Sequence, residues 1–362
     1  MVAVSYSYLT EQFADGPLSR RIMADLRRLR KRGDYTLGPW VERFEEAFAQ
    51  ATGYAHAVGV SNGTDALALA LEVVGVKKGD WVLTVPNSFV ATAGAIRQVG
   101  AYPRFSDVGP DYLMAPDAPL FSMNLRCCAA VVPVDLTGRP ALMDRRLLAG
   151  PPVILDAAQS VGATGGLKPK AACYSLHPLK NVNVWGDGGV VATDDAGLAA
   201  EVGLLRNHGL TDRDTCTVVG YNHRLSAFQA IVGFHVLGAL PWITERRRAN
   251  AAQYDAGLRG CPGVVLPPRN PSVGEVFHTY VVQADGRDRL LAYLASKDVE
   301  AKVHYPVPIH LQPAYAKLGY HAGEYPVVES QARRIISLPV HQYLSEEQVG
   351  YVVESVRGFY RA

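Results

Sequence analysis

The sequence predicts an α/β protein, in which a mainly parallel mixed sheet is flanked by helices and followed by a smaller C-terminal α+β domain. Three observations carry that prediction. Short continuous apolar runs alternate with helix-period segments, the pattern of strands buried on both faces. The chain has 362 residues, enough for a large core and a second, smaller one. After the Pro- and Gly-rich stretch "GCPGVVLPPRNPSVGE" (260–275) the texture changes. The expected division is residues 1–240 for the larger domain and 241–362 for the smaller.

In chain order, "RRIMADLRRLRKR" (20–32) reads as an amphipathic helix with Ile22, Met23, Leu26 and Leu29 inward and its charges on a solvated face. "FEEAFAQATG" (44–53) is a helix closed by Gly53. "AHAVGVSNG" (55–63) leads into the apolar helix "TDALALALEVVGV" (64–76). "WVLTVP" (81–86) is a buried strand and "SFVATAGAIRQVG" (88–100) a helix. "AYPRFSDV", "AAVVPVDL" and "PVILDAAQ" are further buried strands. From 201 to 253 the pattern is helical. "VFHTYVVQA" is then a strand, "RDRLLAYLASKDV" a helix, and "SEEQVGYVVESVRGFYRA" a closing helix.

Composition narrows the function classes. The chain is 48% hydrophobic and 19% charged, and Lys+Arg 36 against Asp+Glu 34 gives +2, so bulk charge does not point to nucleic acid. Cys127, Cys128, Cys173, Cys216 and Cys261 show no zinc spacing and are odd in number. They read as buried thiols of a reduced, cytoplasmic protein, and no metal site is expected. "MVAVSYSYLTEQFADG" lacks a signal-peptide pattern, and no run approaches the roughly 18 apolar residues of a membrane span.

The most informative stretch is "CYSLHPLKNVNVWGDGGVVAT" (173–193). Lys180 sits there among Pro178, Leu179, Val182 and Trp185. Loss of hydration disfavours an ammonium and makes the neutral amine a better nucleophile, which is what a Schiff-base lysine needs. A lysine snorkelling from a strand end is the plainer alternative. Asp156 ends a strand, where α/β proteins bind ligands; it either pairs with a pyridinium nitrogen or caps a helix. Gly63 and Thr64 lie at a strand-to-helix turn, a place for a phosphate or merely a cap. Phe89 follows the next strand, as a stacking ring or as core. Together they form the inventory of a pyridoxal 5'-phosphate (PLP) site: phosphate cup, ring stack, pyridinium partner and lysine.

The sequence resembles the DegT/DnrJ/EryC1/StrS family of PLP-dependent sugar aminotransferases over nearly its whole length. The matching stretches include "YTLGPWVERFEEAFAQATG", "VSNGTDALALAL", "GDWVLTVPNSFVATAGAI", "VILDAAQSVGA", "YSLHPLKN", "GYNHRLSAFQAIVG" and "VHYPVPIHLQPAY". The resemblance implies the type I aminotransferase fold, a homodimer with shared active sites, and a cofactor cycling between PLP and its amine form, PMP. It implies that Lys180 carries the cofactor and shuttles the proton. Asp156 would then pair with the pyridine nitrogen, Gln159 lie against the phenolic oxygen and Phe89 stack on the ring. Gly63, Thr64 and Ser175 would hold the phosphate, and Asn222 would reach it from the other subunit. Tyr35, Arg224 and His310 match substrate positions, His310 also from the partner, although Arg224 as a helix cap and His310 as a packed loop residue remain open. The implied reaction moves an amino group from glutamate to a nucleotide-linked keto sugar. "LKNVNVWGDGG", with Asp187, is closer to members that act at C3 of a hexose than at C4. A 4-keto sugar, an unactivated or phosphorylated keto sugar, a keto cyclitol, a PLP lyase or epimerase, and a PLP-binding regulator are the alternatives. Two segments, 107–130 and the stretch between Asp156 and Lys180, are shorter than the family pattern.

Overall fold

The computed structural model describes residues 3–118, 121–142, 150–166 and 168–361. Its strands are β1 (His56–Val60), β2 (Trp81–Thr84), β3 (Tyr102–Phe105), β4 (Ala130–Val131), β5 (Ile154–Asp156), β6 (Ala171–Ser175), β7 (Gly189–Thr193), β8 (Val264–Val265), β9 (Tyr280–Ala284) and β10 (Ile335–Leu338). β3, β2 and β4 are parallel neighbours, and β5 and β6 pair in parallel. Bridges Val131–Val153 and Val134–Asp156 tie β4 and the segment after it to β5. One layer therefore runs β3-β2-β4-β5-β6-β7-β1, with β7 antiparallel to both of its neighbours. This is the mainly parallel mixed sheet that the continuous apolar runs predict.

Both faces of the sheet are covered, and the period of two shows it. Leu155, Ala172, Tyr174 and Val190 join Phe44, Phe48 and Ile231 in one core, under the helices Pro39–Thr52 and Ala227–Leu237. Ile154, Ala171, Cys173 and Val191 face the other way, against Leu67 and Leu71 of the helix Gly63–Val73. That helix is apolar nearly all round because it is packed on several sides.

A second core surrounds the antiparallel sheet β10-β9-β8 and the helices Arg287–Ser296 and Glu346–Arg361. The helix Leu240–Leu258 belongs to both: Leu240 and Ile243 pack in the first core, Tyr254 and Leu258 in the second. Val4 also enters the second core and pairs with Val299, so the N-terminal strap lies across it. Among the described residues no single helix is long and apolar enough to cross a membrane. Ala227–Leu237 and Leu240–Leu258 pass that test only as a pair bent by 57°.

Three sequence expectations change. Met23 is not inward but 42% exposed. Ile22, Asp25 and Leu29 share the buried face of the helix Pro17–Arg32, and Met23 projects about 100° away from Ile22. Asp25 takes the inward place because it meets His235 Nε2 at 2.9 Å. The expected helix over 201–253 is interrupted between Leu205 and Ala227. There the chain makes an excursion closed by bridges Asn207–Asn222 and Leu210–Cys216, with Asp212 Oδ1 accepting from the N–H groups of Asp214 and Thr215. Of the five free cysteines, Cys128, Cys173 and Cys261 are buried, but Cys127 and Cys216 are exposed.

Adjacent residues on the helix Pro17–Arg32 give a direct check. Ile22→Ala should cost about 2–5 kcal/mol of unfolding free energy, and Met23→Ala should stay within about 0.5 kcal/mol. Urea unfolding of the two variants measures this; equal losses would contradict the buried face described above.

Candidate active site

The helix Gly63–Val73 begins at a strand-to-helix turn. Asn62 caps it, its side chain accepting from Asp65 N–H at 2.8 Å. The N–H groups of Gly63 and Thr64 have no partner within the helix and carry its positive end. A Cβ at Gly63 would stand 2.8 Å from Ser175 Cβ, so only glycine lets this helix end approach the end of β6. The Ser175 side chain completes a small cradle of donors suited to a phosphate.

Lys180 follows β6 by a turn in which its N–H donates to His177 O at 2.8 Å. Its carbonyl is held twice, by Tyr8 OH at 2.9 Å and by Asn183 Nδ2 at 3.1 Å. Burial pulls the Lys180 amine down to about 8, with the charge of Asp156 acting in the opposite sense. Of the sequence neighbours, Leu179 lines the cavity beside Lys180 and Val182 is buried, whereas Trp185 is 43% exposed. The desolvating walls come from a cavity of about 650 Å³, which Lys180 shares with Tyr8, His278, His304 and Tyr305. Burial, then Lys180, lowers His278 and brings His304 down to about 4, so both rings are neutral at physiological pH.

Asp156 ends β5 and is 5% exposed. Thr92 Oγ1 donates to its Oδ2 at 2.7 Å, and Ala158 N–H donates to its Oδ1 at 3.2 Å. Ser88 Oγ lies 2.7 Å from Thr92 Oγ1 and extends the chain. Burial raises the Asp156 carboxyl; the Thr92 and Ala158 hydrogen bonds and the charge of Lys180 hold it down. A second carboxylate, Asp135, stands beside it and is pushed by burial up to about 7, although it accepts from Ser160 Oγ at 2.6 Å and Ala141 N–H at 2.7 Å. Gln159 Oε1 accepts from Thr137 N–H at 2.8 Å, which leaves its NH2 group as a donor. Phe89 is 53% exposed, with its ring 5.5 Å from that of Tyr305.

One cavity thus gathers Gly63, Thr64, Phe89, Asp156, Gln159, Ser175 and Lys180. Four other expected residues lie outside its walls. Asn222 is exposed on the Asn207–Asn222 bridge, and Arg224 Nη1 donates to Asn207 Oδ1 at 3.1 Å. Tyr35 is half-exposed and stacks on Phe228 at 5.4 Å. His310 is 1% exposed, with Nε2 at 3.2 Å from Glu329 Oε1 and its ring edge-on to Tyr325. Sequence reasoning did not single out Tyr8, Ser88, Thr92, Arg247, His278, His304 or Tyr305. Only Ser88 and Thr92 carried a local signal, because hydroxyls four apart at a helix start share one face.

These residues fit PLP. The glycine-lined helix end suits its phosphate, the lowered Lys180 amine suits its aldehyde, and the buried Asp156 carboxylate lacks the cation that a protonated pyridine nitrogen would supply.

Comparison with known proteins agrees with that reading. The model of the DegT/DnrJ/EryC1/StrS aminotransferase family matches residues 18–357. A pleiotropic regulatory protein of Geobacillus stearothermophilus is 37% identical, over 98% of this chain and 97% of its own. The dTDP-3-amino-3,4,6-trideoxy-alpha-D-glucose transaminase of Streptomyces venezuelae is 37% identical, over 92% of this chain and 90% of its own. The crystal structure of S. venezuelae DesV, in complex with a ketimine intermediate, superposes with a TM-score of 0.94 at 35% identity, covering all of both chains.

Because the amine is pulled down to about 8, Lys180 is neutral above that pH, where an ordinary lysine is still charged. In the cofactor-free protein, acylation of Lys180 should therefore reach half its limiting rate at about pH 8, read by peptide mapping. Borohydride reduction of the holoenzyme should fix the cofactor on the same residue. A midpoint above pH 10, or a label on Lys168 or Lys170, would overturn the assignment.

Proposed function

The chain belongs to the DegT/DnrJ/EryC1/StrS aminotransferase family and is a PLP-dependent sugar aminotransferase; from that premise we propose that it transfers an amino group from glutamate to C3 of a nucleotide-linked keto hexose. The observation that carries the reading is the pairing of a desolvated Lys180 with a buried Asp156 in one cavity. The likeness to a 3-amino-sugar transaminase supports the choice of C3.

Bound PLP supplies an aldehyde carbon that accepts the amino group and a ring that takes up the electron pair left when a C–H bond breaks. The protein supplies placement and proton transfer. Gly63, Thr64 and Ser175 would hold the phosphate by N–H and O–H donors. Asp156 would keep a proton on the pyridine nitrogen, and the Thr92 and Ala158 hydrogen bonds favour its ionised form. Lys180 Nζ, neutral above about pH 8, would take the proton from the donor's α-carbon and return it during product formation. Gln159, whose NH2 is left free to donate, would meet the cofactor's phenolic oxygen, and Phe89 would cover the ring face.

The proposal includes a dimer and a cytoplasmic setting. Asn222 is exposed and outside its own chain's cavity, and Val219 (88% exposed) and Tyr221 stand out beside it, which supports a partner surface there. Asn222 would then serve the partner's phosphate cup, and Arg224 the diphosphate of the sugar nucleotide. His310 is left out of this role because it exposes 1% of its surface in this chain. A second reading, a regulator that binds PLP, draws on the likeness to a pleiotropic regulatory protein. Glutamate separates the two, since an aminotransferase converts its cofactor to PMP and a regulator does not.

Paired 3-keto and 4-keto sugar nucleotides, with unactivated keto sugars as controls, should give a new amine at C3 by NMR. Arg224→Ala should raise KM for the sugar nucleotide about tenfold or more while leaving KM for glutamate nearly unchanged. Amination only at C4, or equal use of the free sugar, ends the corresponding part of the reading. Mixing inactive Lys180→Ala and Asn222→Ala chains should restore partial activity, because one site of a mixed dimer keeps both residues. No recovery after proven subunit exchange would place both in one chain.

A further inference from the structure

The helix Gly63–Val73 is gripped at two points by one extended stretch of chain. Tyr221 and His223 donate their N–H groups to Leu205 O at 2.7 Å and Arg206 O at 2.9 Å, and His223 O accepts from Ser61 N–H at 2.9 Å. Bridges Asn207–Asn222 and Val60–Arg224 continue the pairing. Tyr221 OH donates to Glu72 Oε2 at 3.0 Å, and His223 Nδ1 lies 3.2 Å from Asp65 Oδ2. Asp65 and Glu72 are two turns apart on one face of the helix. The Tyr221 and His223 rings stack at 5.1 Å, so both leave the backbone on the same side. Alternate side chains of an extended chain point to opposite faces. Asn222, between the two, therefore points away from the helix that its neighbours grip, and it is exposed.

Asp65 has a second task at the same helix end. Its carboxylate accepts from the Ser61 hydroxyl and from Asn62 Nδ2 at 2.7 Å. Asn62 in turn caps the helix and sets the turn that carries Gly63 and Thr64. One buried carboxylate thus holds both the entry to this chain's own phosphate cradle and the histidine next to Asn222.

We propose that Tyr221 and His223 are positioning residues that aim Asn222 at the cofactor phosphate of the partner subunit. One helix then supports both sites of a dimer, its own from its first turn and the partner's through the clasp on its side. This rests on the reading that Asn222 serves the partner's phosphate cup. A segment already fixed at both neighbours of Asn222 loses less freedom when the amide meets its phosphate, which is how the clasp adds affinity without touching the cofactor. It also makes the effect directional: a lesion in the clasp of one chain acts on the site of the other.

The test uses mixed dimers isolated through two different affinity tags, in which one chain carries Lys180→Ala and the other keeps Lys180. Borohydride fixes PLP only on the intact lysine, so labelling at a series of PLP concentrations reports the affinity of a single site. On the lysine-less chain Asn222→Ala should weaken PLP about 10–100-fold, the range of a hydrogen bond to a charged group, and His223→Ala about tenfold. On the chain that keeps Lys180, His223→Ala should change the affinity by less than about twofold. His223→Ala combined with Asn222→Ala on the lysine-less chain should be no weaker than Asn222→Ala alone, because the histidine acts through the asparagine. His223→Gln, which keeps a donor for Asp65, should restore most of the affinity. Tyr221→Phe removes only a hydroxyl, so it should fold and shift the affinity in the same direction. Equal losses from either chain, a loss only on the chain that keeps Lys180, or additive losses in the double variant overturn the proposal. Asn222→Ala without effect on the lysine-less chain ends the shared-site reading and this proposal with it. An effective Asn222→Ala with silent His223→Ala and Tyr221→Phe overturns this proposal alone.

Discussion

Withdrawing the Lys180 amine and the Asp156 carboxylate from water in a single cavity is the constraint around which the site is arranged. Desolvation acts on them with opposite sign, lowering the lysine and raising the aspartate, so it drives both toward neutrality. For catalysis one must stay neutral and the other must stay charged. The structure resolves this by unequal support. Asp156 receives hydrogen bonds from Thr92 and Ala158, which favour its anion. Lys180 receives its fixed contacts on the backbone carbonyl, from Tyr8 and Asn183, and those hold its place without stabilising its charge. Asn183 is itself clamped by Gln12 through two hydrogen bonds of 3.1 Å, so the N-terminal strap is part of the lysine's support.

That asymmetry explains which parts of the site were legible from sequence. Parallel strands deliver their C-terminal ends to one edge of a sheet. Asp156, Ser175 with Lys180, the Gly63 turn and Phe89 each follow a strand that is recognisable as an apolar run, so their convergence could be anticipated without coordinates. Tyr8, His278, His304 and Arg247 come from segments with no strand-end signal. They reach the cavity because the strap and the second core close over it, and no short window of sequence encodes that closure. Asp135 is an intermediate case: it ends the run "AAVVPVDL", the same signal as Asp156, and it lies beside Asp156 through its N–H to the Asp156 carbonyl at 3.0 Å.

The fold was legible for a similar reason, and it failed where polarity and period disagreed. Continuous apolar runs found β2, β3, β4 and β5 of the large sheet, because burial on both faces removes the need for alternation. Met23 was misplaced because hydrophobicity was read in place of angle: Asp25, three residues after Ile22, has the inward position and a histidine partner to make it tolerable. The interruption between Leu205 and Ala227 contains "GLTDRDT", a cluster of turn formers that outweighs the helical texture on either side.

An aminotransferase must admit two unlike substrates to one cavity in turn, a small anionic amine donor and a far larger acceptor. In the reading proposed above, the acceptor's diphosphate meets Arg224, which is partly exposed and donates to Asn207 Oδ1, where space for a nucleotide matters more than strength per contact. Placing the nucleotide at the rim leaves the depth of the cavity, with Lys180 and Asp156, for the proton transfers that both half-reactions share. The buried Arg247 guanidinium in the cavity wall is tolerable because neutral acceptors, Gln342 Oε1 and the carbonyls of Phe277 and His278, take three of its five N–H bonds.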